Sequence, residues 1–532
     1  MKNKKLTGSF YTPKTLADFL VNYLSDKLKD KTSISVLEPS AGDGIFVRTI
    51  YNHETFSKKI QKVIAIEKSK RELNKITKEI KVKTFTAIHT DFLEFQLNNR
   101  QKFSLVLGNP PYIKNNLLEK QQVDNCKTIH QNANLANNST KNIWTSFLVR
   151  CIEFTDDNGI LAFVLPSELL QVKFAAELRD LILKEFERVE IFTFNELLFK
   201  DCKGQDTLLL IGERKSKDKG VYYCNIDKLA DLVEGKFTLA QNVKIKESKW
   251  THHHLETDEI ELLEKIKGQL QTVDDYCSSR AGIVTAANNY FIVDASTVEK
   301  YSLHDFIKPI IQKGIFINGS VVLTDEEFQI LIDKSKPTYL IALDKNSAIR
   351  KNAKLWSYLQ IGEDRLIHKR YKTSIRNNWF EVPNVGTPAE AFFFKRCNQY
   401  PKLIKNSANV LATDSAYTIT MKEDFEIENL IFSFYNSVTL AFAELYGRYY
   451  GGGVLELTPN EFKKLPVPYR NVSTDKFNSY VTDFKNKNSI KEICNRNDKS
   501  ILKSADKNLD DDSITKLYNI REKLYLRRMK TN

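Results

Sequence analysis

No apolar stretch in the 532 residues approaches the roughly 20 that span a bilayer. The opening MKNKKLTGSF also lacks the apolar core of a secretory signal, so a soluble, cytoplasmic chain without a membrane partner is expected. Cysteine is sparse: seven residues, at 126, 151, 202, 224, 277, 397 and 494, stand singly with no CxxC pair. That excludes a zinc ribbon and a disulfide framework, and predicts reduced, mostly buried thiols. The tract His252 to His254 has no second ligand group at metal-like spacing; no metal is expected, and the tract reads as surface linker. What the sequence does have is charge, with 80 Lys and Arg against 67 Asp and Glu, a net +13. With 42% hydrophobic residues this is globular composition, too long for one ordinary domain and tilted toward a polyanionic partner.

The first half alternates β-rich apolar runs with helical segments. SISVLEPSAG, KVIAIEKS, KTFTAIHTDF, FSLVLGNPPY, GILAFVLP, RVEIFTF and DTLLLIGER read as strands, and residues 16–28 and 173–186 as helices. Such alternation predicts an α/β, doubly wound, mainly parallel Rossmann-like sheet, which binds ligands at the carboxyl ends of its strands. The rhythm is lost near 240. Residues 1–240 are expected to form one domain, and 250–532 a mixed α+β second domain ending in a basic helical segment. Its densest stretch, RLIHKRYKTSIRNNWFEVP at 365–383, interleaves cations with Tyr371, Trp379 and Phe380. This suits phosphate contact with base stacking, or equally a solvated basic face over an aromatic core.

The chemistry gathers at the strand ends. In VLEPSAGDGIF, Gly42 and Gly44 permit a tight turn before a helix N-terminus, an arrangement for a nucleotide-like ligand or simply a pair of turn glycines. The next strand ends in Glu67, spaced to accept two ribose hydroxyls, and the third reaches Asp91, where a carboxylate can accept from an adenine amino group. Glu38, Glu67 and Asp91 at three consecutive strand ends are a less accidental set than any one of them. The fourth strand ends in Asn109-Pro110-Pro111-Tyr112. An exocyclic amine on a planar ring is a poor nucleophile because its lone pair enters the ring. Two acceptors, the Asn109 side-chain oxygen and the Pro110 carbonyl, could hold its hydrogens and turn the lone pair outward, while Tyr112 offers a stacking face.

These motifs resemble, in order, the TaqI-like gamma group of N6-adenine DNA methyltransferases, type II restriction-modification methylases whose cofactor motifs precede NPPY and whose target-recognition domain is C-terminal. The resemblance implies S-adenosyl-L-methionine as cofactor. GSFYTP at 8–13 assigns Thr12 to the cofactor's carboxylate; LEPSAGDG assigns Glu38, Gly42, Asp43 and Gly44; AIEKS and TDF assign Glu67 and Asp91. NPPY assigns Asn109 and Pro110 to the target amino group, Pro111 to the cofactor's side and Tyr112 to the flipped adenine. NELLFK at 195–200 assigns Phe199 to the other face of that base. In the second half AGIVTAANNYFIVD and YYGGGVLELTPNEFKKLPVP are similar to recognition domains of this group, with Ala286 where the group has glycine.

Double-stranded DNA is therefore the expected partner, and base flipping follows, since a stacked adenine cannot reach such a pocket. NPPY also resembles the motif of enzymes that methylate a protein glutamine and of some RNA methyltransferases; a glutamine-directed enzyme needs no large basic second domain, and an RNA substrate stays as an alternative. A non-catalytic recognition subunit would not need the intact NPPY and cofactor acids. A fused nuclease finds no room before motifs that begin within a dozen residues. A monomeric enzyme is expected, with a cognate restriction endonuclease as a possible companion. The Asn-rich stretch at 115–142 is too polar for core; it is either a loop closing over DNA or a disordered insertion.

Overall fold

A computed structural model describes residues 11–96, 101–196, 198–199, 206–241, 249–317, 319–343, 352–450 and 453–529. Gly8 to Phe10 of GSFYTP, and Leu197 and Lys200 of NELLFK, lie outside the described residues. The chain forms two compact units, residues 1–257 with the short stretches 450–453 and 527–532, and residues 258–449 with 454–526.

In the first unit, helix α1 (Lys14–Lys27) starts directly after Pro13 and buries Leu16, Leu20, Val21 and Leu24, one face at helical spacing. Strand β1 (Ile34–Glu38) leads through a glycine turn to α2 (Ile45–Asn52). Then follow β2 (Ile60–Glu67), α3 (Lys70–Glu79), β3 (Phe85–His89) and β4 (Phe103–Gly108). After a long connection containing α4 (Lys120–Asn132) and α5 (Ile143–Phe154) come β5 (Thr155–Pro166), α6 (Ala176–Glu185), β6 (Arg188–Phe194), β7 (Thr207–Glu213), β8 (Gly220–Ile226) and β9 (Ala240–Gln241). All seven strands expected from sequence form.

The nine strands make one sheet in the order β3-β2-β1-β4-β5-β7-β6-β8-β9. β3, β2, β1, β4 and β5 run parallel, and β7 is inserted antiparallel between β5 and β6. Every residue of β4 is buried, as a central strand covered on both faces requires. From β1 the chain winds outward to β2 and β3, then returns to place β4 on the other side of β1. The crevice beyond the carboxyl ends of β1 and β4 is thus a topological switch point, where open α/β sheets bind ligands. Register brings the critical residues level. Val36 lies opposite Leu105, Glu38 opposite Ala65 and Glu67 opposite His89, so Glu38, Glu67, Asp91 and Asn109 share one edge of the sheet.

The second unit has no such alternation. A five-stranded sheet runs in the order Cys277–Ala281, Ala416–Met421, Ala391–Phe394, Lys402–Asn406, Val322–Leu323, antiparallel except for its last pair. Helices Thr474–Lys485, Ile490–Ala505 and Asp511–Met529 close the chain. Phe392, Phe394 and Ile404 centre one apolar cluster; Tyr290, Phe291, Leu355 and Tyr358 centre another.

Two expectations change. His252 is buried, not surface linker, because the adjoining Trp250 enters the first unit's core and its N–H donates to the Leu170 carbonyl at 2.9 Å. The stretch 115–142 contains a helix, Lys120–Asn132, flanked by short 3-10 turns, rather than being a structureless insertion. Lys114 pairs with Asn142, and the Ile143 N–H donates to Ile113 at 2.9 Å, closing the base of the excursion. Within it α4 buries Cys126 and His130. Among the described residues no helix is long and apolar enough to cross a membrane, and no cluster of three His, Cys, Asp or Glu could hold a metal.

Candidate active site

At the switch point lies a cavity of about 450 Å³. Its lining takes Thr12 from before α1, Glu38, Gly42 and Asp43 after β1, Glu67 after β2, Asp91 after β3, and Asn109 and Pro111 after β4. Eight of the residues singled out in the sequence therefore meet in one space. The turn after β1 explains how. Gly42 and Gly44 both adopt left-handed backbone, φ +55° and +82°, and the Ala41 N–H ties back to Ile66 at 2.9 Å. Gly44 does not face the cavity; a Cβ there would stand 2.7 Å from Ile76, so it is the residue that lets α2 pack on α3.

Charge in the cavity is unbalanced. Glu38 is 1% exposed, and its Oε2 has no hydrogen-bond partner among the described residues. Burial, reinforced by the nearby Asp43 and Glu67 carboxylates, holds its pKa well above the ordinary range. The Val47 N–H supports the carboxylate, but a buried oxygen left without a donor is costly unless a cation or donor completes it. Glu67 is better supported. Its two oxygens accept from the Gly42 N–H at 2.8 Å and the Ser69 N–H at 2.6 Å, although burial still raises its pKa. Each oxygen keeps a lone pair for a further donor. The donor set therefore fits a ligand that brings positive charge beside Glu38 and hydroxyls to Glu67.

Asp91 is held from the side by three partners. Its Oδ2 accepts from Gln122 Nε2 at 2.8 Å and pairs with Lys68 Nζ at 3.0 Å, while the Leu93 N–H donates to Oδ1 at 3.0 Å. Gln122 belongs to α4, and Leu117, Leu118 and Glu119 ahead of it also line the cavity. The Asn-rich excursion is thus one wall of the pocket. Tyr11 and Lys68 were likewise not singled out from sequence, yet both line the space.

The loop after β4 forms the opposite wall. Asn109 Nδ2 donates to Thr12 Oγ1 at 3.3 Å, and the Ser40 hydroxyl donates to the Asn109 carbonyl at 3.2 Å. The Tyr112 hydroxyl lies 2.9 Å from both Asn109 Oδ1 and the Val164 carbonyl, two acceptors for one proton. Tyr112 is only 8% exposed, with its ring in the core. Pro110 is buried, and Phe199 lies in the same apolar cluster as Tyr112. The structure does not bring Pro110, Tyr112 or Phe199 to the cavity lining. A second concavity, lined by Lys114, Asn115, Asn142, Glu168 and Phe174, opens just beyond the same loop.

The sheet order, with its inserted antiparallel β7, gives the first unit the Rossmann-like fold of methyltransferase sheets; the second unit is mixed α+β. Residues 20–199 match the family model of the Eco57I restriction-modification methylase, and residues 247–502 that of the C-terminal domain of type II methyltransferase M.Eco57I. The type II methyltransferase M.AccI of Acinetobacter calcoaceticus is 24% identical over 503 residues, 87% of this chain and 86% of that protein. The modification methylase CviBIII of Paramecium bursaria Chlorella virus NC1A is 27% identical over 225 residues, and there the match spans 42% of this chain and 53% of the relative. In fold, the type IIL restriction-modification enzyme MmeI, solved in complex with DNA, superposes with a TM-score of 0.62 at 12% identity, over 96% of this chain and 75% of MmeI. Along most of its length the chain is thus similar to type II restriction-modification methyltransferases.

Proposed function

We propose that the protein is a site-specific DNA methyltransferase that transfers a methyl group from S-adenosylmethionine to N6 of a flipped-out adenine. In this reading it is the cytoplasmic modification enzyme of a type II restriction-modification system, monomeric, with a cognate endonuclease acting on the same site. Residues 1–240 would form the catalytic domain and 250–532 the target-recognition domain. The observation that carries the reading is the buried Glu38 carboxylate, one oxygen of which has no partner among the described residues, on a cavity whose far wall is Asn109.

S-adenosylmethionine, when bound, supplies an electrophilic methyl group on a positively charged sulfur. Glu38 would answer the positive charge of that ligand, Glu67 its ribose hydroxyls, Asp91 its adenine amino group and Thr12 its carboxylate, with Gly42, Asp43 and Pro111 lining the space and Gly44 permitting the turn that presents them. Asn109 Oδ1 and the Pro110 carbonyl would accept the two hydrogens of the target amine, freeing its lone pair. Tyr112 and Phe199 would flank the base. The Val164 carbonyl gives this scheme a useful property: when Asn109 Oδ1 is engaged by the substrate amine, the Tyr112 proton turns to Val164 and no buried hydroxyl is orphaned. N6 gains the methyl and loses one proton to solvent.

Incubation with tritiated S-adenosylmethionine and duplex DNA tests the reading. Label is expected in DNA, at N6-methyladenine on nucleoside digestion, and to be abolished by Asn109→Ala with cofactor binding retained. Label in protein or RNA alone would refute it.

A further inference from the structure

Where α4 returns over the strand ends, the acceptor sites of Asp91 are nearly all taken. A carboxylate offers about four of them. Oδ2 takes two donors, Gln122 Nε2 at 2.8 Å and Lys68 Nζ at 3.0 Å, and Oδ1 takes the Leu93 N–H at 3.0 Å. Among the described residues one site on Oδ1 therefore remains, room for a single N–H of an amino group. Phe92, Leu118, Ile143 and Phe147 line the cavity with Asp91, and the Phe92 and Phe147 rings lie 4.9 Å apart. Apolar walls with one open acceptor suit a planar ring that carries an exocyclic amine.

The terminal torsion of an aspartate is broad, so a carboxylate keeps one orientation only where its partners hold it. The two donors on Oδ2 do so unequally. The Lys68 side chain is 56% exposed, and an ion pair with so much of one partner in water fixes geometry weakly. Gln122 is fixed at both ends. Its Oε1 accepts from the Glu119 N–H at 3.4 Å in the capping box that starts α4, which turns its Nε2 to Asp91. The reversed amide would set oxygen against carboxylate and NH2 against N–H. The helix that carries Gln122 is anchored in turn by buried Cys126 and His130. Oδ2 is thus closed, and Oδ1 is the oxygen left to meet a ligand.

We propose that Gln122 is a positioning residue: it locks the Asp91 carboxylate so that Oδ1 accepts one N–H of the cofactor's adenine amino group. The proposal rests on the reading of the protein as an S-adenosylmethionine-dependent methyltransferase and names the residue through which the cofactor's base is told from its deaminated form. Its test is titration calorimetry of the full-length chain with S-adenosylhomocysteine and with S-inosylhomocysteine, whose 6-oxo group sets an acceptor against Asp91. Wild type is expected to prefer the amino ligand about 30-fold, the worth of a hydrogen bond to a charged group. Gln122→Glu keeps the acceptor of the capping box but replaces the donor with a second carboxylate, and Gln122→Met keeps the length and loses both. In each the preference should fall to about threefold or less, through weaker binding of S-adenosylhomocysteine. A merely structural role would weaken both ligands alike and leave the ratio at its wild-type value. No preference in wild type, a ratio unchanged in both variants, or a ratio narrowed only in Gln122→Met, where the cap alone is the cause, overturns the role of Gln122 while the methyltransferase reading stands. If wild type binds neither ligand, both fall.

Discussion

Among single residues Glu38 makes the sharpest demand. Its folded-state pKa is raised by burial, so folding favours the protonated carboxyl. That contribution is complete below the unfolded carboxylate's pKa and is lost as pH rises; at neutral pH an ionised Glu38 is a cost to the cofactor-free protein. A cationic ligand reverses the sign, so cofactor affinity should rise with pH through the Glu38 titration, with proton release on binding. Glu38→Gln is expected to raise the Tm of the cofactor-free protein by about 2 °C or more while weakening cofactor binding about 30-fold, the loss of a buried charged partner. Calorimetry in two buffers of different ionisation enthalpy reads both effects, and unchanged affinity would remove Glu38 from the binding site. Tyr112→Phe separates two roles. It retains a ring for stacking but deletes the hydroxyl that orders Asn109, so kcat should fall about tenfold, near 1.4 kcal/mol, with capture of a 2-aminopurine target preserved. Reduced capture with intact kcat would show the ring, not the hydroxyl, to matter. Tyr11 and Lys68 stand inside GSFYTP and AIEKS but carried no role of their own there, and Gln122 lies in no motif; only the return of α4 over the strand ends brings Gln122 to Asp91.

At the scale of elements, α4 carries a pH dependence of its own. His130 is buried, with Nδ1 2.5 Å from Ser139 Oγ and Nε2 3.3 Å from Thr145 Oγ1. The Ser139 hydroxyl donates to the Ala136 carbonyl at 2.7 Å and so accepts from Nδ1–H, which fixes the neutral tautomer. Burial lowers the His130 pKa to about 4. With an unfolded value near 6.5, the excursion is fully stabilised above that pH and loses the contribution as pH falls toward 4, because the unfolded segment binds the extra proton. Amide exchange across 120–132 should therefore accelerate selectively between these values, beyond the intrinsic chemical change, and His130→Gln should flatten the profile. Uniform protection would place the excursion outside this control. Gly44→Ala, forced into φ +82° against Ile76, should cost on the order of 1–3 kcal/mol in a urea melt. Elements were legible in proportion to their periodicity. The seven apolar strands read directly, whereas β8, with half of GVYYCNI only partly buried, lacked the signal and was missed. The polar composition of 115–142 concealed a helix because its burial rests on few side chains, Cys126 and His130 among them. In 365–383 composition could not tell Trp379 from Tyr371; packing against Tyr290 draws one inward and leaves the other out.

For the whole molecule, the net charge of +13 is a weaker argument than it first looks. Lysines and arginines divide evenly between residues 1–257 and 258–532, so the surplus does not mark the second unit as the basic one. The cavity at the switch point is built from carboxylates, Glu38 fully buried among them, and backbone N–H groups at short range. Added salt screens exposed charges and competes for phosphate contacts but acts little on buried pairs. Raising KCl from about 50 to about 200 mM should thus weaken duplex binding by roughly tenfold or more, while S-adenosylmethionine affinity changes by less than about twofold. The methylation rate at subsaturating DNA should follow the first quantity, and at saturating DNA neither. Parallel loss of both affinities would mean that the exposed cations serve the cofactor site as well, and that the two binding functions are not divided between the two units as their chemistry suggests.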